Sequence, residues 1–310
     1  MSSFVQSLLY LTISMSTPYI LACMGGLFVQ QTGVFNIALE SMMTFGAFGA
    51  IVFVILFNGN LPLAYLMGIL LSIVMAMLLA FFGVKLKGNT TLIGLALNMV
   101  AAAVPPFLMQ TYFGSRGTLI ATDFIEPRDF LMDVPVLRNI PILSDILNAQ
   151  TPLTYFSFLS ILICVVVLYK TRFGVYVRVT GENQEAAEAI GIKVDNYRYI
   201  ALAVSGFTCG LAGINLSVEL LGMYNIGLVA GRGFICLAAI TCGRKHPLKT
   251  AAFALLFGFA RAFQIKIATF MDPTIASLVG VIPFVTILFV LFVTEVKQTR
   301  KNTIRIFQDN

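Results

Sequence analysis

The polar residues best placed to contact a solute lie within or beside long apolar stretches of the chain. Glu40 follows Asn36 by four residues, and Glu219 follows Asn215 by the same interval, so each pair is expected to share one face of a helix. An ionisable side chain within a membrane usually faces a cavity or a partner. These pairs predict either a lining of amide and carboxylate groups for a hydroxyl-rich solute or caps for a broken helix.

A third group of polar residues follows a basic turn. Arg261 lies 12 residues after Lys249, or about 18 Å along a helix, which is near the middle of a bilayer. Gln264 lies three residues further on and shares the same face. Arg261 is expected either to contact solute oxygens or to pair with a carboxylate such as Glu40, and Asn98 is a further candidate for the lining.

The sequence gives little support to catalytic or metal chemistry. The five cysteines all lie in apolar stretches and form no CxxC pair, and the one histidine, His246, lies in a basic turn. Residues 83–90 read GVKLKGNT, in which Asn89 stands where a Walker A motif needs its lysine. We therefore expect no catalytic centre, no metal site and no cofactor.

The composition excludes most classes of soluble protein. The apolar residues make up 58% of the 310-residue chain and the charged residues only 11%, compared with about 25% charged in a typical soluble domain. A soluble domain of this length could not bury that much apolar surface, and the net charge of +6 comes from cations at the ends of apolar runs, as in a membrane protein. A soluble enzyme, a disordered regulator and a nucleic-acid binder are thereby excluded.

Nine apolar runs predict a polytopic helical bundle. The run 233–243 is too short to cross a bilayer, which takes roughly 20 residues, and the polar segment Gln30–Gly33 precedes the run 37–57. We predict an all-α membrane protein with eight to ten transmembrane helices, nine being the best value, and with broken or re-entrant helices near 30–40 and 222–243. The nine runs are 5–29, 37–57, 61–84, 91–113, 153–169, 199–221, 233–243, 250–271 and 277–294.

Lysine and arginine predict how the chain is oriented. Four connecting segments, 84–90, 170–198, 244–249 and 295–310, hold 14 of the 20 basic residues and are therefore expected in the cytoplasm. The acidic loop 114–152 is expected outside. Residues 1–310 would then form a single transmembrane domain, with a cytoplasmic loop at 170–198 and a basic cytoplasmic tail at 295–310. If all nine runs cross, the amino terminus lies outside.

The cytoplasmic loop 170–198 predicts a two-turn helix over 183–190. Asn183 suits its N-cap, Glu185 places a negative charge in its first turn, and Gly191 suits its C-cap. A helix this short is only marginally stable alone in water. It therefore either docks on a partner protein or lies as a linker helix against the transmembrane helices of this chain. Its expected apolar flank consists of Ala186, Ala187 and Ile190.

The same loop resembles the coupling-helix segment of ABC-importer permeases of the ribose, branched-chain amino acid and nucleoside type. Their loop reads Gly-x-Asn-x-x-Ala-Ala-x-x-x-Gly-Ile, which is similar to residues 181–192. Residues 32–40, 205–213 and 231–247 resemble other stretches of that family in the same order, and Pro283-Phe284 also matches. Among these permeases, the chain is most similar to the shorter nucleoside, or simple-sugar, permease.

The resemblance implies a permease subunit that moves a nucleoside or simple sugar by alternating access in the bacterial cytoplasmic membrane. It implies a second homologous permease in a heterodimer, two ABC ATPase subunits and an extracellular substrate-binding lipoprotein, with lipid around the spans and no nucleic acid. The ATPases would contact Gly181, Asn183, Ala186, Ala187, Ile190 and Gly191.

Two other classes of function would need different residues within the membrane. An ion-coupled secondary transporter of a small polar solute would need a carboxylate or histidine relay within the membrane, and an intramembrane enzyme would need two convergent catalytic groups. A purine nucleoside, a ribose-type sugar and an amide-rich solute all stay open as substrates.

Overall fold

The computed structural model describes residues 3–133, 148–271 and 279–292 of the chain. The predicted tail 295–310 and residues 134–147 of the predicted loop 114–152 lie outside the described residues. The α-helices within them are α1 Ser3–Gln31, α2 Leu39–Leu56, α3 Leu61–Ala80, α4 Thr90–Phe113, α5 Pro152–Lys170, α6 Arg172–Glu182, α7 Gln184–Ala189, α8 Val194–Ile214, α9 Arg232–Cys242, α10 Pro247–Ala268 and α11 Ile282–Phe292.

Short non-α elements complete the described fold. One π-helical turn extends α3 through Phe81–Lys85, and another extends α8 through Asn215–Glu219. A 3₁₀ turn covers Pro127–Phe130, and two short strands, β1 Thr118–Ile120 and β2 Met223–Asn225, pair in an antiparallel sheet.

The polytopic all-α architecture predicted from the sequence is confirmed. All nine predicted apolar runs coincide with helices, and seven helices of the described residues are long and apolar enough to cross a membrane. These seven are α1, α2, α3, α4, α5, α8 and α10, with α3 and α8 counted together with their π-helical turns. The other two are α9, whose 11 residues are too short to cross alone, and α11, of which 11 residues are described.

Helices α1 and α8 form the centre of the bundle, and α4 lies at its periphery. In the apolar windows of α1 and α8, 83% and 78% of the residues are buried, compared with 28% in α4. Outward-facing side chains of α4 such as Leu92, Met99 and Phe107 are each at least 65% exposed. Such a surface suits hydrocarbon rather than water, so the periphery is the surface that lipid would cover.

Local capping chemistry explains where several helices begin. The Asn60 side chain accepts a hydrogen bond from the Leu63 amide at 3.4 Å at the start of α3. The Asn89 side chain accepts hydrogen bonds from Thr91 and Leu92 at the start of α4. Asparagine at an N-cap satisfies amides that the helix itself cannot pair. The GVKLKGNT segment therefore ends in a helix cap.

The bundle has a basic end and an opposite end, which we define by their contacts. At the basic end, the Gln31 side chain at the end of α1 donates a hydrogen bond to the Lys245 carbonyl at 2.7 Å. At the opposite end, the Tyr10 hydroxyl donates to the Ala149 carbonyl at 2.7 Å, and β1 pairs with β2. Both ends of the predicted loop 114–152 therefore lie away from the basic turns.

We expect the opposite end to face the outside of the cell. A cysteine at the exposed position Asp133 should react with a membrane-impermeant maleimide in intact cells. The native cysteines give a low background because all five are buried. Labelling that appears only after lysis would reverse the orientation, and a cysteine at the exposed Lys193, in the basic loop, serves as the internal control.

Candidate functional site

A short irregular segment, residues 32–38, separates α1 from α2, and we call it the break. Its Asn36 side chain accepts a hydrogen bond from the Ala38 amide at 3.0 Å and donates one to the Ser205 hydroxyl of α8 at 3.2 Å. Asn36 is buried and lines neither cavity described below. The prediction that Asn36 shares a helical face with Glu40 is wrong, because α2 begins only at Leu39.

Asn98 of α4 holds the far end of the break in place. Its side-chain oxygen accepts a hydrogen bond from the Ser41 amide at 3.0 Å, and its side-chain nitrogen donates to the Ile37 carbonyl at 3.1 Å. These are backbone groups beside the first turn of α2, which the helix itself leaves unpaired. Asn98 therefore supports the broken helix and also borders a cavity.

Glu40 caps a different helix from its own. Its carboxylate accepts hydrogen bonds from the amides of Gly231 at 2.8 Å and Gly233 at 2.7 Å, at the start of α9. An anion at this position also complements the partial positive charge of the helix amino terminus. A Cβ atom on Gly233 would lie only 2.7 Å from the Glu40 Cα atom, so glycine permits this close approach.

Glu40 also borders a cavity of about 180 Å³. The cavity lies between α2, α4 and the irregular segment 226–230 that leads into α9. Its polar groups include Thr44, Asn98 and Tyr224, and burial raises the pKa of the Tyr224 phenol to about 12. The phenol therefore stays neutral at physiological pH and can donate or accept a hydrogen bond.

A second, larger cavity of about 570 Å³ brings two arginines together. Arg232 at the start of α9 and Arg261 of α10 both line it, together with Glu219 and Asn225. Arg261 donates a hydrogen bond to Gln264 at 2.6 Å, as their shared helical face predicts. Among the described residues, Arg261 forms no ion pair with Glu40, so of the alternatives offered for Arg261 the structure does not show pairing with this carboxylate. The Glu40 carboxylate instead accepts hydrogen bonds from amides at the start of α9.

Arg232 is a site residue that sequence reasoning missed, because its neighbour in the cavity, Arg261, lies on a different helix. Its guanidinium donates hydrogen bonds to the carbonyls of Leu228 at 2.6 Å and Val229 at 3.0 Å, and the residue is buried. The sequence feature that could have revealed Arg232 is the short apolar run 233–243, which follows it directly. Eleven residues span about 16 Å, so a helix that ends beside Arg244 begins well inside the bundle.

Glu219 and Asn215 form the pair that their spacing predicts. The Asn215 side chain donates a hydrogen bond to the Glu219 carboxylate at 2.8 Å, and the Tyr65 hydroxyl donates to the other carboxylate oxygen at 3.0 Å. Both residues lie in the π-helical turn after α8 and are buried. Asn36 and Glu40 make no such hydrogen bond with each other, so the two Asn–Glu pairs have different geometries despite their equal spacing.

Helix α7 has the caps that its sequence predicts. The Asn183 side chain accepts a hydrogen bond from the Ala186 amide at 3.0 Å, and Gly191 has the positive φ of 82° that favours glycine. Its three apolar residues do not form one flank, however. Ala186 and Ile190 are exposed and Ala187 is fully buried, because neighbouring side chains on a helix point about 100° apart and only Ala187 faces the rest of the chain.

Gly181, near the end of α6, packs closely against the end of α1. A Cβ atom on Gly181 would overlap the Gln31 carbonyl oxygen and lie 2.8 Å from the Gly33 amide nitrogen. The loop that carries α7 is therefore in direct backbone contact with the break.

The structure combines a break between α1 and α2, a partly buried carboxylate that caps α9, and a short capped helix at the basic end. Residues 8–291 match the family model described as the branched-chain amino acid transport system / permease component. The chain belongs to this family. This permease is therefore a multi-pass membrane protein and a subunit of an ABC transporter, a class whose permeases work with ATPase and binding-protein subunits.

Three curated relatives resemble this permease over most of its length. The nucleoside ABC transporter permease protein NupC of Lactococcus lactis subsp. cremoris is 35% identical, over 78% of this chain and 77% of the relative. The guanosine ABC transporter permease protein NupQ of Bacillus subtilis is 31% identical, over 82% and 80%. The putative glucose ABC transporter permease protein TsgC13 of Haloferax volcanii is 29% identical, over 90% and 84%.

Proposed function

We propose that this permease is one half of a heterodimer that imports a nucleoside across the bacterial cytoplasmic membrane, with simple sugars as the alternative substrate class. Two ATPase subunits would bind at the basic end, and a substrate-binding lipoprotein at the opposite end. The relatives NupC and NupQ are named for nucleosides and TsgC13 for glucose, and these names support both substrate classes.

Helix α7 is the observation that carries this proposal. It lies at the basic end, its Ala187 packs against the rest of the chain, and its Ala186 and Ile190 face outward. An exposed small residue beside an exposed apolar one suits a groove of a partner protein, because the small side chain allows close approach and the apolar one gains burial. This placement favours docking on a partner over a linker helix.

We expect bulky replacements on the outer side of α7 to disrupt its contact with the ATPase subunits. Ala186→Trp should leave the amount of membrane-inserted protein unchanged and abolish substrate-stimulated ATPase activity of the purified complex. Ala187→Trp should instead lower the amount of folded protein, since it inserts a large side chain where no space exists. Normal coupling in Ala186→Trp would show that α7 is a linker helix.

The two cavities suit a neutral, oxygen-rich solute. The larger one falls within the usual size range of small-molecule sites, and its guanidinium groups donate hydrogen bonds while Glu40 and Asn98 border the smaller one. Donors and acceptors together match hydroxyl groups and heterocyclic bases. We therefore propose that solute passes along these walls, with Arg261 and Gln264 as contacts.

Competition uptake tests the substrate class. Cells that express the complete transporter and lack other nucleoside transporters would be supplied with radiolabelled guanosine. We expect excess unlabelled guanosine to abolish the signal and excess glucose or ribose to leave it unchanged. Guanosine uptake no higher than in cells lacking this permease, together with transporter-dependent glucose uptake, would assign the protein to sugars.

A further inference from the structure

We propose that Arg198 is a positioning residue that transmits movement of α7 to the break and thereby to Glu40. The inference rests on the proposed function, because it concerns how ATPase-driven motion reaches the solute pathway. Arg198 lies in the second turn of α8, between the basic loop and the centre of the bundle. Its side chain reaches both α7 and Thr32, the first residue of the break.

The Arg198 guanidinium makes two hydrogen bonds in different directions. Its Nη2 atom donates to the Gln184 side-chain oxygen of α7 at 3.0 Å, and its Nε atom donates to the Thr32 carbonyl at 3.5 Å. Thr32 is fully buried and Gln184 is exposed. Arginine suits this role because its planar fork presents several donors in a fixed arrangement, whereas lysine has a single point of charge.

Close backbone packing makes the contact between the loop that carries α7 and the break stiff. Gly181 and Gly33 approach so closely that a Cβ atom on Gly33 would lie 3.3 Å from the Gly181 Cα atom. The Gln31 side chain also donates a hydrogen bond to the Lys245 carbonyl in the turn between α9 and α10. The loop that carries α7 therefore cannot shift without moving either the break or this turn.

From Thr32, the break leads directly to the cavity wall. Asn36 holds the break against α8. Asn98 of α4 then binds the backbone of Ile37 and Ser41. Glu40, which follows in α2, binds the amides at the start of α9. Each contact is a hydrogen bond between separate elements, which can break and re-form. A rearrangement of the break would release Glu40 from the α9 amides and change the wall of the smaller cavity. Packed elements with two discrete arrangements carry coupling in this way.

The ratio of ATP hydrolysed to solute imported tests this link. The complete complex, with its partner permease, ATPases and binding protein, would be reconstituted in proteoliposomes with Arg198→Gln, Gln184→Ala, or both. We expect ATPase activity of Arg198→Gln to stay within about twofold of wild type while guanosine uptake falls about tenfold, as loss of charge-assisted hydrogen bonds allows. Lys193→Gln removes an exposed charge five residues earlier in the same region and should leave the ratio unchanged.

The double variant shows whether the two side chains act together. If the hydrogen bond carries the coupling, the ratio for the double variant should equal that of Arg198→Gln. An unchanged ratio in Arg198→Gln, or a proportional fall in ATPase activity and uptake, would overturn the link while leaving the proposed function intact. A wild-type complex that imports neither nucleoside nor sugar would overturn the proposed function and this inference with it.

Discussion

Glu40→Ala is expected to remove most transport activity and to lower the yield of folded permease. The substitution leaves the amides of Gly231 and Gly233 without their hydrogen-bond acceptor. Each unsatisfied donor within the bundle costs about 1–3 kcal/mol, so the loss of both hydrogen bonds is expected to destabilise the protein by about 2–6 kcal/mol. Thermal unfolding of the purified protein and uptake normalised to membrane-inserted protein would measure the two effects.

Two control variants sharpen this test. Thr44→Val borders the same cavity and removes a hydrogen bond within a single helix, so it should be close to neutral. The double variant Glu40→Gln with Arg261→Gln should show additive losses, because Glu40 bonds to α9 amides and Arg261 to Gln264. Recovery of stability or uptake in the double variant would contradict this geometry and indicate a direct pair.

Gly181→Ala is expected to cause a large loss of coupling, whereas Gly191→Ala in the same loop should be mild. A methyl group on Gly181 would overlap backbone atoms of Gln31, which cannot rotate away, and overpacking of this kind costs about 1–3 kcal/mol or more. Gly191 has open space around it and only its positive φ to oppose a side chain, a strain of about 1 kcal/mol.

Substrate-stimulated ATPase activity and uptake of the two glycine variants would be compared at equal protein content. Gly181→Ala should displace the loop that carries α7 and reduce both signals strongly. Gly191→Ala should retain most of each. Equal activity of the two variants would mean that the contact between the loop and α1 is not needed for coupling.

Features that depend on neighbouring residues could be predicted from the sequence. Asn183 and Gly191 cap α7 as predicted because capping is decided within one turn of helix. The short run 233–243 was correctly judged unable to cross a membrane, since length alone limits a span. The nine apolar runs coincide with helices for the same reason.

Features that depend on distant residues could not be predicted. Glu40 and Gly231 are 191 positions apart in the chain, so the spacing of Glu40 from Asn36 carried no information about its partner. The spacing of residues predicts a re-entrant helix near 222–243, but it does not show that Arg232 shares a cavity with Arg261 of another helix. The sequence places Ala186, Ala187 and Ile190 on one flank, but only the packing of α7 against the rest of the chain decides that Ala187 alone is buried.

ATP-dependent import is the central claim, and uptake into proteoliposomes tests it most directly. The purified complex would be reconstituted with binding protein and radiolabelled guanosine outside and either ATP or no nucleotide inside. We expect uptake that requires both ATP and the binding protein and is unaffected by collapsing Na⁺ and H⁺ gradients. Uptake driven by an ion gradient without ATP would contradict ATP-dependent import and indicate a secondary transporter.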